Sequence, residues 1–141
     1  MTDQTVSSAM TNLPITVPHT ASVLEAASVM RESHIGDVLV MDDGKLAGLV
    51  TDRDIVVRVV ARAKDPKTTL VGEVCTEPLV TTHPDTRLEE VEKTMRERAI
   101  RRLPVVNDWG EPVGMVSLGD LAVTQDAESA LAHISLAPPN S

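Results

Sequence analysis

One seven-residue stretch occurs twice in the chain, as Gly48-Leu49-Val50-Thr51-Asp52-Arg53-Asp54 and again as Gly114-Met115-Val116-Ser117-Leu118-Gly119-Asp120. In both copies an apolar segment runs into a hydroxyl residue, Thr51 or Ser117, that is followed three positions later by an aspartate. This spacing is typical of a capping box at the start of a helix. Each copy therefore predicts a short strand that leads directly into a helix.

The repeat extends upstream of this stretch. Met30-Arg31-Glu32-Ser33-His34-Ile35 returns as Met95-Arg96-Glu97-Arg98-Ala99-Ile100, and Ile15-Thr16 aligns with Val80-Thr81. An internal repeat of this length indicates two supersecondary units of one kind. We expect a first motif over residues 6–65, a connector over 66–73 and a second motif over 74–124. The C-terminal tail, 125–141, is compatible with a short helix followed by a disordered end.

Each copy has the pattern strand, helix, strand, strand, helix. Apolar residues recur at helical spacing after the first strand, and short apolar runs bounded by turn residues follow. Ser22 with Glu25, and Thr86 with Glu89, have capping-box spacing at the start of the first helix of each copy. The predicted strands cover residues 15–17, 37–41, 46–50, 103–106 and 113–116. The last helix of the first copy is expected to bury Ile55, Val56, Val59 and Val60.

The composition restricts both the core and the class of protein. Of the 141 residues 42% are hydrophobic, but there is no Phe or Tyr and only one Trp, so aliphatic residues must form the core. The net charge of −8 and the scarcity of aromatic rings argue against nucleic-acid binding, which uses basic and stacking surfaces. No apolar run reaches the ~20 residues of a membrane span, and the polar start does not resemble a signal peptide. We expect a soluble, cytoplasmic protein that contacts no membrane.

These residues resemble a tandem pair of CBS motifs, an arrangement called a Bateman module. The resemblance covers residues 6–123 and is carried by the two repeated stretches and by Ile100-Arg101-Arg102-Leu103-Pro104-Val105-Val106. The small stand-alone format also resembles the actinobacterial hypoxic response protein type. The resemblance implies an α/β fold in which two β-α-β-β-α CBS motifs, related by a pseudo-twofold axis, pack sheet to sheet and leave a cleft.

The resemblance also implies a function. Pairs of this family commonly bind AMP, ADP, ATP or S-adenosylmethionine in the cleft and commonly dimerise through their helices. We therefore expect a regulatory homodimer that senses such a ligand, requires no cofactor and signals to an unidentified effector protein. The alternative is a degenerate pair that binds no ligand and acts as a dimeric interaction scaffold. Val56, Val59 and Val60 would suit a dimer surface, although burial inside the protomer is an equal alternative.

The repeated stretch offers a physical basis for ligand binding. A glycine, Gly48 or Gly114, leaves room for a ligand to approach the backbone. The following hydroxyl and the helix N-terminus can bind a phosphate or ribose oxygen, and the aspartate can accept hydrogen bonds from ribose hydroxyls. Capping alone remains an alternative for both boxes. The residues expected at the two sites from the repeated stretch are Gly48, Thr51, Arg53, Asp54, Gly114, Ser117 and Asp120.

Further site residues follow only from the resemblance. Thr16, Val38, Thr81 and Pro104 fall where the family forms an adenine slot, with ordinary strand core as the alternative. Arg101 and Arg102 fall where phosphate-binding residues occur, but the first copy has Gly36-Asp37 there. The two sites are therefore expected to be unequal. Either one site takes a phosphorylated nucleotide, or the cleft favours a less anionic adenosine ligand.

The sequence favours neither a metal site nor an enzyme. The four histidines, His19, His34, His83 and His133, are scattered and form no pair with metal-ligand spacing. Cys75 is the only cysteine, which excludes a disulfide within the chain, and it is expected to be a small buried or interface residue. No catalytic triad or carboxylate pair stands out. We expect no catalysis.

Overall fold

The computed structural model describes residues 4–12, 14–76 and 80–125. They form two compact units. The first unit comprises the described residues from 15 to 76, whereas the second unit combines residues 4–12 and Pro14 with residues 80–125. Within these described ranges, every helix is too short or too polar to cross a membrane.

The first unit contains a three-stranded sheet. Strand β2 (Thr16–Pro18) runs parallel to β3 (Asp37–Asp42), which is antiparallel to β4 (Lys45–Thr51). The helical elements of the unit are α2 (Val23–Ser33), α3 (Asp52–Ile55), a π-helical turn (Val56–Val60) and α4 (Val71–Val74). Aliphatic side chains from the sheet and these helices form one buried core, as the composition predicts.

The second unit contains the other three-stranded sheet. Strand β6 (Pro112–Ser117) lies between β1 (Thr11–Asn12) and β5 (Arg102–Val106) and is antiparallel to both. Its helices are α1 (Val6–Ala9), α5 (Leu88–Arg98) and α6 (Leu118–Gln125). The strand expected around residues 80–81 is reduced to a single parallel bridge between Thr82 and Val105. The two units are thus variants of one mixed α/β arrangement.

Each unit includes a helix that precedes the other motif in the sequence. Val6 of α1 is fully buried in the core of the second unit, and its N–H donates to the Thr86 carbonyl at 2.8 Å. Val71 of α4 is fully buried in the first unit, and its N–H donates to the Ala21 carbonyl at 2.9 Å. The spatial division therefore differs from the motif boundaries at 65 and 74, because those follow the order of the chain.

The start of α5 corrects one capping prediction. Ser22 caps α2 as expected, because its Oγ accepts from the Glu25 N–H at 3.1 Å. Helix α5 instead begins at Leu88, and the residue before it, Arg87, makes no side-chain cap. The Leu88 N–H donates to the Gln4 carbonyl at 3.1 Å, so the N-terminal segment supplies an acceptor that was expected from Thr86.

The apolar run after α3 is only partly buried. Val59 is fully buried and Ile55 is packed against the core, but Val56 and Val60 are 57% and 66% exposed, contrary to the expected burial. The physical reason is the π-helical turn, which closes with a hydrogen bond from the Ala61 N–H to the Val56 carbonyl at 2.8 Å. A π turn contains an extra residue and so turns neighbouring side chains away from the α-helical face.

Helices α2 and α5 both end on a left-handed residue that is not glycine. His34 has φ 56° and Ala99 has φ 55°. This conformation places the Cβ close to the following carbonyl and is disfavoured for L-residues other than glycine. Both helix ends therefore carry local backbone strain.

Two glycines allow the residues that follow α4 and α1 to lie close against the sheets. A Cβ on Gly48 would lie 2.6 Å from Cys75 Sγ and 2.9 Å from the Thr76 carbonyl oxygen. A Cβ on Gly114 would lie 2.7 Å from both Met10 Sδ and the Thr11 carbonyl oxygen. Only glycine fits at either position without displacement of the backbone.

The first prediction concerns the strained end of α5. Ala99→Gly should raise the free energy of unfolding by about 0.5 kcal/mol, because glycine adopts the left-handed conformation without steric cost. The matched control is Ala27→Gly, which places the same change inside α2 and should lower stability by about 1 kcal/mol. Urea unfolding measures both. Two changes of the same sign would contradict the assignment of strain to Ala99.

The second prediction concerns the close contact at Gly114. Gly114→Ala should lower the free energy of unfolding by about 2 kcal/mol, because the new methyl group overlaps a backbone oxygen. Gly48→Ala should have a similar effect. Adding Cys75→Ala should restore only part of that loss, since the Thr76 carbonyl remains. A loss below about 0.5 kcal/mol in both single variants would show that the space is open.

Candidate functional site

Both junctions between strand and helix form complete capping boxes. The Thr51 N–H donates to Asp54 Oδ2 at 2.9 Å, and the Asp54 N–H donates to Thr51 Oγ1 at 3.1 Å. In the second unit the Ser117 N–H donates to Asp120 Oδ2 at 2.8 Å, and the Asp120 N–H donates to Ser117 Oγ at 3.1 Å. The capping alternative is therefore present in both copies. It does not exclude ligand binding, because each carboxylate has a second oxygen with free acceptor capacity in the box.

The junction of the second unit borders an open cavity of about 500 Å³. This volume lies within the range typical of small-molecule sites. The cavity combines a capping carboxylate, hydroxyl groups and the end of α1. We call it the Asp120 cavity, and its lining residues are Ser8, Ala9, Ser117, Gly119, Asp120, Val123 and Thr124.

The junction of the first unit is crossed by an arginine. Arg58 Nη1 donates to the Val74 carbonyl at 2.8 Å and to the Cys75 carbonyl at 3.4 Å. Its Nε lies 3.9 Å from Asp54 Oδ1, and the Asp54 side chain is only 14% exposed. The carboxylate of this box therefore faces a guanidinium group from its own chain.

Packing within each unit gives the two motif glycines a role besides the expected approach of a ligand to the backbone. The space where a Cβ would stand on Gly48 or Gly114 is filled by residues 75–76 or 10–11 of the chain. The requirement for glycine is therefore met by packing within each unit. The physical reason is that α4 and α1 end beside the strands that contain these glycines.

Arg101 and Arg102, the expected phosphate-binding residues of the second copy, lie beside the Asp120 box. Arg102 is the register partner of Ser117 across β5 and β6, and the Arg101 carbonyl accepts from the Leu118 N–H at 2.8 Å. Both side chains are exposed. At the corresponding positions of the first unit, Asp37 is the partner of Thr51 and the Gly36 carbonyl accepts from Asp52. The strand register thus places Gly36 and Asp37 of the first unit at the positions of Arg101 and Arg102, so the two units differ in charge there.

The four residues expected to line an adenine slot differ in their exposure. Val38 is 2% exposed in the core of the first unit, and Pro104 is buried in the second unit. Thr16 is exposed on β2, and Arg53 is exposed at the start of α3.

Thr81 lines a separate cavity of about 390 Å³ together with Thr82, His83 and other residues of the second unit. This cavity shares no lining residue with the Asp120 cavity. His83 Nε2 lies 2.7 Å from Asp108 Oδ1, an exposed pair that links the segment to the turn after β5. Among residues 4–12, 14–76 and 80–125, no group of three or more His, Cys, Asp or Glu residues is placed to hold a metal ion.

Sequence reasoning missed the side of the cavity that α1 supplies. Ser8 and Ala9 were placed with the first motif, yet they line a cavity of the second unit. A signal existed in the sequence, because the segment Val6–Thr11 aligns with Val71–Thr76 at the spacing of the other repeated residues. Arg58 and Thr124 were also missed, since each lies one helical turn beyond its box.

Comparison with known proteins supplies the family. A family model described as CBS domain matches residues 6–61 and 71–124. The CBS domain-containing protein YhcV of Bacillus subtilis is 42% identical over 134 residues, which are 92% of this chain and 94% of that protein. Hypoxic response protein 1 of Mycobacterium tuberculosis is 36% identical over 98 residues, which are 69% of this chain and 68% of that protein.

A solved structure agrees with the sequence matches. The crystal structure of the CBS domain pair of protein MJ0100, in complex with 5′-methylthioadenosine and S-adenosyl-L-methionine, superimposes with a TM-score of 0.78 at 28% identity. It covers 91% of this chain and 100% of that one. The expected resemblance is thereby confirmed, including its narrower likeness to the hypoxic response proteins. The chain belongs to the CBS domain family and carries two CBS domains in tandem.

Proposed function

We propose that this protein is a regulatory module that binds an adenosine-containing ligand at the Asp120 cavity. The observation that carries the proposal is the combination of an open cavity of about 500 Å³ with a carboxylate already fixed by its capping box. Because the box holds Asp120 in one orientation, little side-chain entropy is lost when a ligand binds. The candidates are AMP, ADP, ATP and S-adenosylmethionine.

The cavity has suitable chemistry for a ribose. The carboxylate of Asp120 can accept hydrogen bonds from two vicinal hydroxyls, and these charge-assisted bonds are stronger than neutral ones. Ser8, Ser117 and Thr124 add hydroxyl groups to the lining. The two vicinal hydroxyls of a ribose therefore match the acceptors of this cavity.

The charges near the cavity leave two kinds of adenosine ligand open. Arg101, which precedes β5, and Arg102, which begins it, lie beside the box and could neutralise a phosphate group. The chain as a whole carries a net charge of −8, which disfavours a highly anionic ligand. The solved relative with bound 5′-methylthioadenosine and S-adenosyl-L-methionine supports a ligand without phosphates.

Ligand occupancy would act through protein contacts. The cavity is bordered by both α1 and α6, so a bound ligand links two helices that come from opposite ends of the described chain. A ligand that binds one arrangement of these helices more tightly shifts the population toward it. In this proposal a homodimer passes that shift to an effector protein, and the chain itself performs no catalysis.

The third prediction tests ligand binding. In a thermal-shift panel with AMP, ADP, ATP and S-adenosylmethionine, one ligand at 100 times its Kd should stabilise the protein by about 2.7 kcal/mol. Asp120→Asn retains an acceptor for the Ser117 N–H but removes the charge. It should raise the Kd of that ligand at least tenfold. Asp54→Asn is the matched control, because it makes the same change in the other capping box.

The proposal would be contradicted if none of the four compounds, at millimolar concentration, raised the unfolding temperature of the wild-type protein. Equal loss of affinity in both Asn variants would place the ligand elsewhere than the Asp120 cavity. Unfolding of each variant without ligand must be measured alongside, since both substitutions also weaken a helix cap.

A second candidate function is a dimeric interaction scaffold. The observation that favours it is the exposure of three neighbouring valines, because Val56, Val57 and Val60 are 57%, 45% and 66% exposed. Neighbouring apolar side chains on a protein surface mark interaction sites more often than isolated ones do. We call these three residues the valine patch, and its proposed occupant is the same patch of a second copy.

The fourth prediction tests the valine patch. Val56→Lys with Val60→Lys should convert a dimer to a monomer, because two desolvated charges per protomer would oppose burial of the patch. Sedimentation equilibrium measures the change. The control is Leu118→Lys, which charges an exposed apolar residue of the other unit. A dimer that survives the double substitution would exclude the patch as the interface.

A further inference from the structure

The first unit carries its own occupant at the position where the second unit has a cavity. We propose that Arg58 fills the first copy of the ligand site from within the chain, so that each chain binds one ligand, at the Asp120 cavity. This inference rests on the proposed function for the ligand. Its geometric part, that Thr124 stands where Arg58 stands in the first copy, is independent of any ligand.

The proposed equivalence of the two positions rests on contacts already described and on equal spacing from the capping aspartate, with Arg58 in the π-helical turn and Thr124 in α6. In both units a short helix, α4 or α1, ends beside a motif glycine, and the strand with that glycine leads into a complete capping box. Arg58 and Thr124 each lie four residues after the capping aspartate. The corresponding pairs of residues are Val74 with Ala9, Asp54 with Asp120, and Arg58 with Thr124.

Arg58 makes the contacts that a donor ligand would make. Its guanidinium group donates to the carbonyls of Val74, the last residue of α4, and of Cys75, the C-cap residue, both at the end of the helix where carbonyls have no helical partner. Its Nε lies 3.9 Å from the carboxylate oxygen that the capping box leaves open, Asp54 Oδ1. A cation here is favourable for two reasons, the negative end of a helix and a neighbouring carboxylate.

Thr124 cannot make these contacts. Its hydroxyl donates to the Asp120 carbonyl at 2.9 Å, and its side chain is much shorter than that of arginine. A second reduction in size occurs nearby, because Gly119 stands where the first copy has Arg53. Both residues line the Asp120 cavity. The missing side-chain volume in the second copy is therefore the space that a ligand can enter.

The chemistry of the missing group limits what can bind. In place of the guanidinium a ligand must supply hydrogen-bond donors, either hydroxyls or a cationic nitrogen. The ribose hydroxyls of an adenosine compound meet this requirement, and the ammonium group of S-adenosylmethionine adds a positive charge. Arg58 is thus a specificity-determining residue, because it decides which of the two copies is accessible.

Two exchanged substitutions test the inference. Thr124→Arg should place a guanidinium group in the Asp120 cavity, and Arg58→Thr should open the first copy. Thr124→Lys is the matched control, since it adds the same charge without the planar fork. Isothermal titration with S-adenosylmethionine and, separately, AMP gives the stoichiometry, and thermal unfolding without ligand reports whether the new arginine is accommodated.

We expect the wild-type protein to bind one equivalent, Thr124→Arg to bind none, and Arg58→Thr to bind two. Without ligand, Thr124→Arg should unfold about 3 °C above Thr124→Lys, and Asp120→Asn should abolish that difference. Two equivalents bound by the wild-type protein would overturn the inference. So would equal unfolding temperatures for Thr124→Arg and Thr124→Lys, whatever the ligand result.

The failure of the proposed function has a different signature. If neither compound binds the wild-type protein or Arg58→Thr, these two ligands are excluded for both copies. The comparison of Thr124→Arg with Thr124→Lys still tests whether Thr124 and Arg58 occupy equivalent positions. A stabilised arginine variant would then support an equivalent position for a donor group, whereas an unstabilised one would reject it.

Discussion

The absence of a side chain at Gly48 and Gly114 allows the contact on which both units depend. At Gly114 the Thr11 carbonyl oxygen approaches to within 2.7 Å of the place where a Cβ would stand. This approach lets β1 pair with β6 and directs α1 into the core, where Val6 is fully buried. The same placement makes Ser8 and Ala9 part of the Asp120 cavity. One packing constraint therefore determines both the sheet edge and the shape of the candidate site.

The capping boxes combine stability with binding in one set of atoms. Asp54 and Asp120 each use one carboxylate oxygen to hold the start of a helix. A residue that is fixed by the backbone in this way presents its other oxygen in a constant direction. The two copies then differ through a residue one turn later, arginine in one and threonine in the other. A repeat can thus keep its fold while its two sites become chemically different.

Much of the fold could be predicted from the repeat. The hairpin strands β3 with β4 and β5 with β6, the helices after them and both capping boxes follow from local patterns, and the structure contains them all. The role of α1 could not be read from local patterns, because its hydrogen-bond partners Pro84 and Thr86 lie some eighty residues away. The π-helical turn was also missed, since Val56–Val60 has the composition of an ordinary buried helix.

The candidate site was predicted less completely than the fold. Ser117 and Asp120 bond each other in one capping box and Arg102 is the register partner of Ser117, whereas the side chains of Val38 and Pro104 are buried. Sequence spacing identifies residues within one helical turn of each other, and it therefore predicted both capping boxes. Spacing does not reveal which side chain from the next turn lies beside the capping aspartate. Arg58 and Thr124 were missed for this reason.

The discontinuous composition of the second unit affects the order in which the protein forms during synthesis. A ribosome adds about 5–20 residues per second, and domains fold as their last segment emerges. The first unit is complete once residue 76 has left the exit tunnel, but the second unit needs β6, which ends at Ser117. Val6 is therefore made well before β6, and it is covered only after β6 has emerged. For several seconds the nascent chain displays an apolar segment whose binding partner does not yet exist, and chaperones that recognise such segments have this interval in which to act.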